Sequence, residues 1–159
     1  MKTLVIYDSF FGNTEKVAQA IGSAAGTPKD VQIVKAANAN PQQLQGVQLL
    51  IVGSPTRAFR PSPATIQFLA SIPVGGLQGV KVAAFDTRMM ITDKTPGILR
   101  VLSGWFGYAD KSISKKLLRK GGQATLPSEG FFVQDSEGPL KEGELERAAE
   151  WAKRIVATR

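Results

Sequence analysis

The chain has 159 residues, with 20 Lys plus Arg against 13 Asp plus Glu, no His and no Cys. Such a length suits one domain spanning 1–159. The missing His and Cys exclude Cys/His zinc sites, thiolate nucleophiles, disulfide frameworks and Ser-His-Asp relays.

At 43% hydrophobic and 21% charged, the composition supplies enough apolar material for a full core. The opening MKTLVIYDSFFGNT holds one Lys and an apolar run broken at Asp8, too short for a signal peptide or a membrane span. A cytoplasmic protein is expected, on which the lack of cysteine is silent. The formal charge of +7 is uneven: residues 57–120 carry 11 basic and 3 acidic residues, and residues 121–159 carry 5 and 7. This basic block suits an acidic protein, a nucleic acid, an anionic small molecule or merely a solvated surface.

Lys2–Tyr7 is too apolar to alternate, as in a strand buried on both faces of a parallel sheet. Val17, Ala18, Ile21, Ala24 and Ala25 then recur at helical spacing over Glu15–Ala25, with Asn13 or Thr14 as N-cap. Val31–Lys35 is strand-like, Asn40-Pro41 opens a short helix, and Val47–Val52 is a second apolar strand ended by Gly53-Ser54-Pro55-Thr56. Ser62 before Pro63 reads as an N-cap with proline at the first helical position, and Ile66, Leu69 and Ile72 give that helix its apolar stripe.

Val80–Phe85 is the next strand, and the long stretch Asp86–Tyr108 that follows has weak periodicity. Loops of this length in a small domain usually carry function. Asp110 is positioned to cap a helix over Lys111–Lys120 that turns Ile113 and Leu117 inward and places Arg119 and Lys120 at its C-terminal end. Gln123–Thr125 and Gly130–Val133 form a last strand in two pieces, and Glu142–Val156 forms a final helix with an outward Glu150–Arg154 pair. Its apolar face comprises Leu145, Ala148, Ala149, Ala152, Ile155 and Val156. The alternation of strands and helices predicts an α/β fold, a doubly wound sheet of five parallel strands with helices on both faces. A ligand of such a sheet binds at the carboxyl ends of its strands.

Three loops stand there: Asp8-Ser9-Phe10-Phe11-Gly12-Asn13-Thr14, Gly53 through Phe59, and Asp86-Thr87-Arg88 with its continuation. In the first, hydroxyls, an amide and a glycine precede a helix, where free N–H groups and the positive dipole end receive a phosphate without Lys or Arg. The same residues also serve simply to start a helix. Neither GxxxxGK[ST] nor GxGxxG is present, which counts against ATP and NAD.

The segment Val5-Ile6-Tyr7-Asp8-Ser9-Phe10-Phe11-Gly12-Asn13-Thr14-Glu15-Lys16-Val17-Ala18 resembles the FMN-phosphate signature of flavodoxins, and Ile51-Val52-Gly53-Ser54-Pro55-Thr56 resembles their second flavin loop. The resemblance runs over the whole chain, with Arg88–Tyr108 its weakest part. It implies a flavodoxin-like three-layer sheet of order 2-1-3-4-5, an FMN cofactor and an electron carrier serving redox partner proteins. It also implies phosphate binding by Ser9, Gly12, Asn13 and Thr14, helped by the Ser54 hydroxyl, within a loop that includes Phe10 and Phe11. Ser54, Pro55, Thr56, Arg57, Ala58 and Phe59, with Asp86, Thr87 and Arg88, would bracket the isoalloxazine ring. The aromatic candidates for stacking on it are Phe59, Trp105, Phe106 and Tyr108.

Flavodoxins are typically acidic near the flavin, and this chain is basic there. A cation beside the developing anion of a reduced flavin is worth roughly 1–4 kcal/mol. Arg57, Arg60 and Arg88, if they face the ring rather than water, therefore predict an easier second reduction. A docking face built around Arg57, Arg60, Lys94 and Arg100 suits an acidic redox protein. No nucleic-acid motif accompanies the charge, so neither a nucleic-acid nor a membrane partner is expected, and a monomer is the default.

Two alternatives stay open: an FMN-dependent NAD(P)H or quinone reductase, and a flavin-free interaction module of the same fold. A phospho-receiver domain is rejected because Gly53-Ser54 stands where its phosphorylatable Asp would be. Asp8 and Asp86 are read as residues that shape loop ends, with no catalytic role.

Overall fold

The computed structural model describes residues 1–90, 96–98 and 108–158. All five residues of β1 (Thr3–Tyr7) are buried, as its unbroken apolar run requires of a strand covered on both faces. It pairs in parallel with β2 (Val31–Lys35) on one side and β3 (Leu49–Pro55) on the other. β3 pairs with β4 (Lys81–Met89), giving the order β2-β1-β3-β4 and then a fifth place. Two short strands share that place: β5 (Gln123–Ala124) beside Lys81 and Val82, and β6 (Glu129–Val133) beside Phe85 to Met89. The observed order is the one expected, and the last strand comes in two pieces.

Alternation along the strands divides the core. Leu4, Ile6, Leu50, Val52 and Val82 face α2 (Pro63–Ser71) and α3 (Ala109–Arg119), where Phe68, Leu69, Ile113 and Leu117 meet them. Val5, Leu49, Ile51 and Phe85 face α1 (Asn13–Ala25) and α4 (Glu144–Ala157), where Val17, Ile21, Trp151 and Ile155 cover them. Phe85, Phe131 and Trp151 pack edge to face at 6.1–6.2 Å between ring centres. Gly53 makes room for this cluster, because a Cβ there would fall inside the Phe85 ring.

Several local expectations are corrected. β3 and β4 run on to Pro55 and Met89, carrying the site loops further from the sheet. α1 is capped by Gly12, not by Asn13 or Thr14, and α3 by Tyr108, leaving Asp110 buried in its first turn. Ser62 does cap α2, its hydroxyl accepting from Thr65 N–H at 3.3 Å, but Ile66 is only half-buried and Phe68 takes its place inward. In α4, Glu150 pairs with Lys153 rather than Arg154, and Leu145 is exposed, because the inward face centres on Trp151.

Candidate functional site

α1 and α2 leave neighbouring strands β1 and β3 and cover opposite faces of the sheet, so the loops at their carboxyl ends part. Between them lies a cleft of about 420 Å³. Its first wall begins where Asp8 Oδ1 accepts Ser9 N–H at 2.9 Å and Ser9 Oγ accepts Gly12 N–H at 3.0 Å. Gly12 then starts α1 with φ 88° and no side-chain cap. Among the described residues, the first-turn N–H groups, at the positive end of the helix dipole, have no side-chain acceptor. α2, by contrast, is capped by Ser62.

Ser9, Phe10, Phe11, Asn13 and Thr14 all line the cleft. Thr14 Oγ1 lies 2.7 Å from Thr87 Oγ1, which ties α1 to the end of β4, and Asn13 Nδ2 donates to Glu137 O at 2.9 Å. Neutral donors thus converge on the end of β1, an arrangement suited to a phosphate group.

The opposite wall consists of Pro55, Thr56, Arg57 and Ala58. Arg57 and Arg60 exchange two backbone hydrogen bonds, of 3.1 and 2.9 Å, around Ala58 at φ 48° and Phe59 at φ 63°. Two consecutive left-handed residues, neither of them glycine, cost about 1–2 kcal/mol each, and strain of this kind clusters at ligand-binding loops. The Arg57 guanidinium stands 4.8 Å from the centre of the Phe10 ring, spanning the two walls.

Four expected residues do not line the cleft. Gly12 lies beneath it as the helix cap. Ser54 is fully buried; its hydroxyl donates to Pro55 O at 2.9 Å and accepts Ser62 N–H at 2.8 Å, so it pins the start of α2 and offers nothing to a phosphate. Phe59 turns its edge to Tyr108, with ring centres 6.1 Å apart. Asp86 is also fully buried.

Asp86 anchors a charged cluster behind the cleft. Its carboxylate accepts from Arg88 Nε at 2.7 Å, from Thr56 Oγ1 at 2.7 Å and from Asp110 N–H at 3.2 Å. Arg88 Nη2 stands 2.9 Å from Asp110 Oδ1, an ion pair without hydrogen-bond geometry, and Asp110 Oδ2 accepts from Ser128 Oγ at 2.7 Å. Burial pushes the Asp86 carboxyl up to about 6, and the Arg88 charge holds it from rising further. Thr87 and Arg88 do line the cleft, but two carboxylates compensate the Arg88 charge. Of the three arginines expected to favour flavin reduction, Arg57 is the one that lines the cleft without a carboxylate partner among the described residues.

Met89, Val133, Ser136 and Glu137 complete the lining and were not foreseen. Their signal is the rule that exposed the other loops: β4 and the β6 segment also end at this edge of the sheet. Of the aromatic candidates, Tyr108 and Phe59 pack on each other beside the cleft without lining it, and Trp105 and Phe106 lie outside the described residues.

No protein-family model and no curated protein matches the sequence. Solved structures do match its fold. A flavodoxin from the domain Archaea superimposes with TM-score 0.73 at 22% identity, over 99% of this chain and 97% of its own. Oxidised flavodoxin 1 from Bacillus cereus gives 0.75 at 17% identity, over 99% and 98%. The two-electron reduced flavodoxin of Megasphaera elsdenii gives 0.68 at 17% identity, over 98% and 99%. With its strand order and two-faced helical cover, the chain has a flavodoxin-like fold.

Proposed function

We propose that the chain binds FMN in this cleft and works as an electron carrier between redox proteins. The observation that carries the reading is the start of α1, where the cap residue Gly12 offers no side-chain hydrogen bond, with Asn13 and Thr14 in the cleft wall at the carboxyl end of β1. A phosphate there would receive first-turn N–H groups and the Ser9, Asn13 and Thr14 side chains, and a flavin ring would lie toward the opposite wall of Pro55 to Ala58. When bound, FMN supplies the ability to take and release electrons. The residues around it supply binding, orientation and charge.

The donor set fits this group: no side chain in the phosphate wall carries positive charge, so binding relies on oriented dipoles. Arg57 stands at the opposite wall, where its charge would stabilise negative charge developing on a bound ring. The partners are redox proteins, with no nucleic acid in the scheme, and the carrier is a monomer in the cytoplasm. No described helix is long and apolar enough to cross a membrane.

Turnover separates this reading from a reductase. The FMN-loaded chain mixed with NADPH and a quinone is expected to show no catalytic oxidation of NADPH until a separate flavoprotein reductase is added. Sustained turnover by the chain alone would make it a reductase.

A further inference from the structure

We propose that the outer face of α3, together with the Arg57–Arg60 hairpin, docks an acidic redox protein over the mouth of the cleft. The proposal rests on the electron-carrier reading for the partner's redox nature, whereas the surface itself belongs to the polypeptide.

Lys111, Lys115 and Arg119 recur every four residues along α3 and are all exposed, opposite the buried Ile113 and Leu117. Successive members of such a row stand about 6 Å apart along the helix. The one carboxylate of α3, Asp110, is buried and faces Arg88. Among the described residues no carboxylate pairs with any cation of this face.

The first turn of α3, which carries Lys111, abuts the cleft wall. Ala109 N–H, at the start of α3, donates to Thr56 Oγ1 at 3.1 Å, and Tyr108 packs on Phe59 within the hairpin that bears the exposed Arg57 and Arg60. Lys94 and Arg100, also expected in a docking face, lie outside the described residues.

Charge alone would equally attract a nucleic acid, but exposed apolar side chains line the cleft, and the Arg57 guanidinium lies 4.8 Å from the centre of one of them, the Phe10 ring. Phe10, Phe11, Met89 and Met90 are 44%, 53%, 49% and 42% exposed, and the first three line the cleft. Leu118, likewise exposed, stands beside the α3 row. An apolar centre flanked by charge is the anatomy of a protein interface, whereas a phosphate backbone engages only the cations. The partner is therefore a protein with an apolar patch ringed by carboxylates.

The test is an amide NMR titration of the full chain, FMN-loaded and flavin-free, with a small acidic [2Fe–2S] ferredoxin as probe. The expected result is shifts confined to α3, the 57–60 hairpin and the Phe10–Phe11 loop, with affinity falling about tenfold or more between low salt and roughly 0.3 M salt. The variant K111E/K115E/R119E is expected to lose about tenfold or more in affinity, while the charge-matched K2E/K29E/R154E is expected to lose less than about threefold.

Equal losses in both variants, no binding at low salt, or shifts elsewhere would overturn the proposal. So would tighter binding of a random-sequence DNA duplex at the same amides. Docking by a chain that fails to bind FMN would remove the carrier reading and leave the surface standing. A chain that binds FMN but not the probe would lose the docking surface alone.

Discussion

The Arg88 guanidinium lies 3.9 Å from the centre of the Tyr108 ring while Asp86 meets its Nε at 2.7 Å and Asp110 its Nη2 at 2.9 Å. This arrangement fixes the start of α3 against the end of β4 and withdraws Arg88 from service as a free cation of the cleft. Removing one partner of a buried ion cluster strands the others. Arg88→Ala is therefore expected to destabilise the fold by roughly 3 kcal/mol or more, measured by urea unfolding. Gly130→Ala is expected to act in the same direction, because its Cβ would overlap the guanidinium.

The raised Asp86 carboxyl has a consequence for pH. An unfolded Asp loses its proton near 3.9, whereas native Asp86 keeps it to about 6. Between these values the native state binds more protons, so stability falls as pH rises from about 4 to 6 and levels off above, by on the order of 2–3 kcal/mol. At Glu144, burial raises the carboxyl, but donors from Arg147 and Phe132 N–H outweigh it and hold the group below its ordinary value. Its contribution is present above the unfolded value and is lost only as the medium becomes more acid. Denaturation across this range should show the decline in the wild type and a flat profile in Asp86→Asn; the same slope in both would contradict the assignment.

β1 and β3 are legible because their apolar runs are buried on both faces; Val31–Lys35 has its expected limits, and the broken last strand is visible in the spacing of Gln123–Thr125 and Gly130–Val133. Side-chain partners are not. Asp110 reads as a helix cap because its neighbours in sequence suggest one, but its counter-charge, Arg88, lies 22 residues earlier in the sequence. Ser54 looked like a ligand hydroxyl until the close approach of Ser62 N–H gave it a partner inside the protein. The inward turn of Trp151 depends on Phe85 and Phe131, which no local pattern reveals.

Ser54 and Thr14 make opposite predictions. Ser54→Ala strands a buried N–H and is expected to cost about 1–3 kcal/mol of stability while leaving FMN affinity within about twofold. If the cleft takes the FMN phosphate as proposed, Thr14→Val is expected to weaken FMN about tenfold or more and to leave riboflavin affinity unchanged. Fluorescence titration of both variants with both ligands separates the two roles.

Packing at Gly53 leaves no space for a methyl group beside Phe85. Gly53→Ala is expected to cost about 1–3 kcal/mol in chemical denaturation, with near-ultraviolet dichroism reporting the displaced aromatic cluster.

If FMN binds in the cleft as proposed, Arg57 is the cleft cation without a carboxylate partner among the described residues and would ease the second reduction. In Arg57→Gln the second potential should become more negative by tens of millivolts, with the first moving less, as read by spectroelectrochemistry. An unchanged second potential would mean that the side chain stays in water.

The most direct measurement is titration of the flavin-free protein with FMN and with riboflavin. The phosphate wall at the start of α1 predicts FMN binding tighter by about a hundredfold, the worth of two hydrogen bonds to a charged group. Equal affinity for the two, or binding of neither, would contradict it and reduce the Ser9–Thr14 loop to the beginning of a helix.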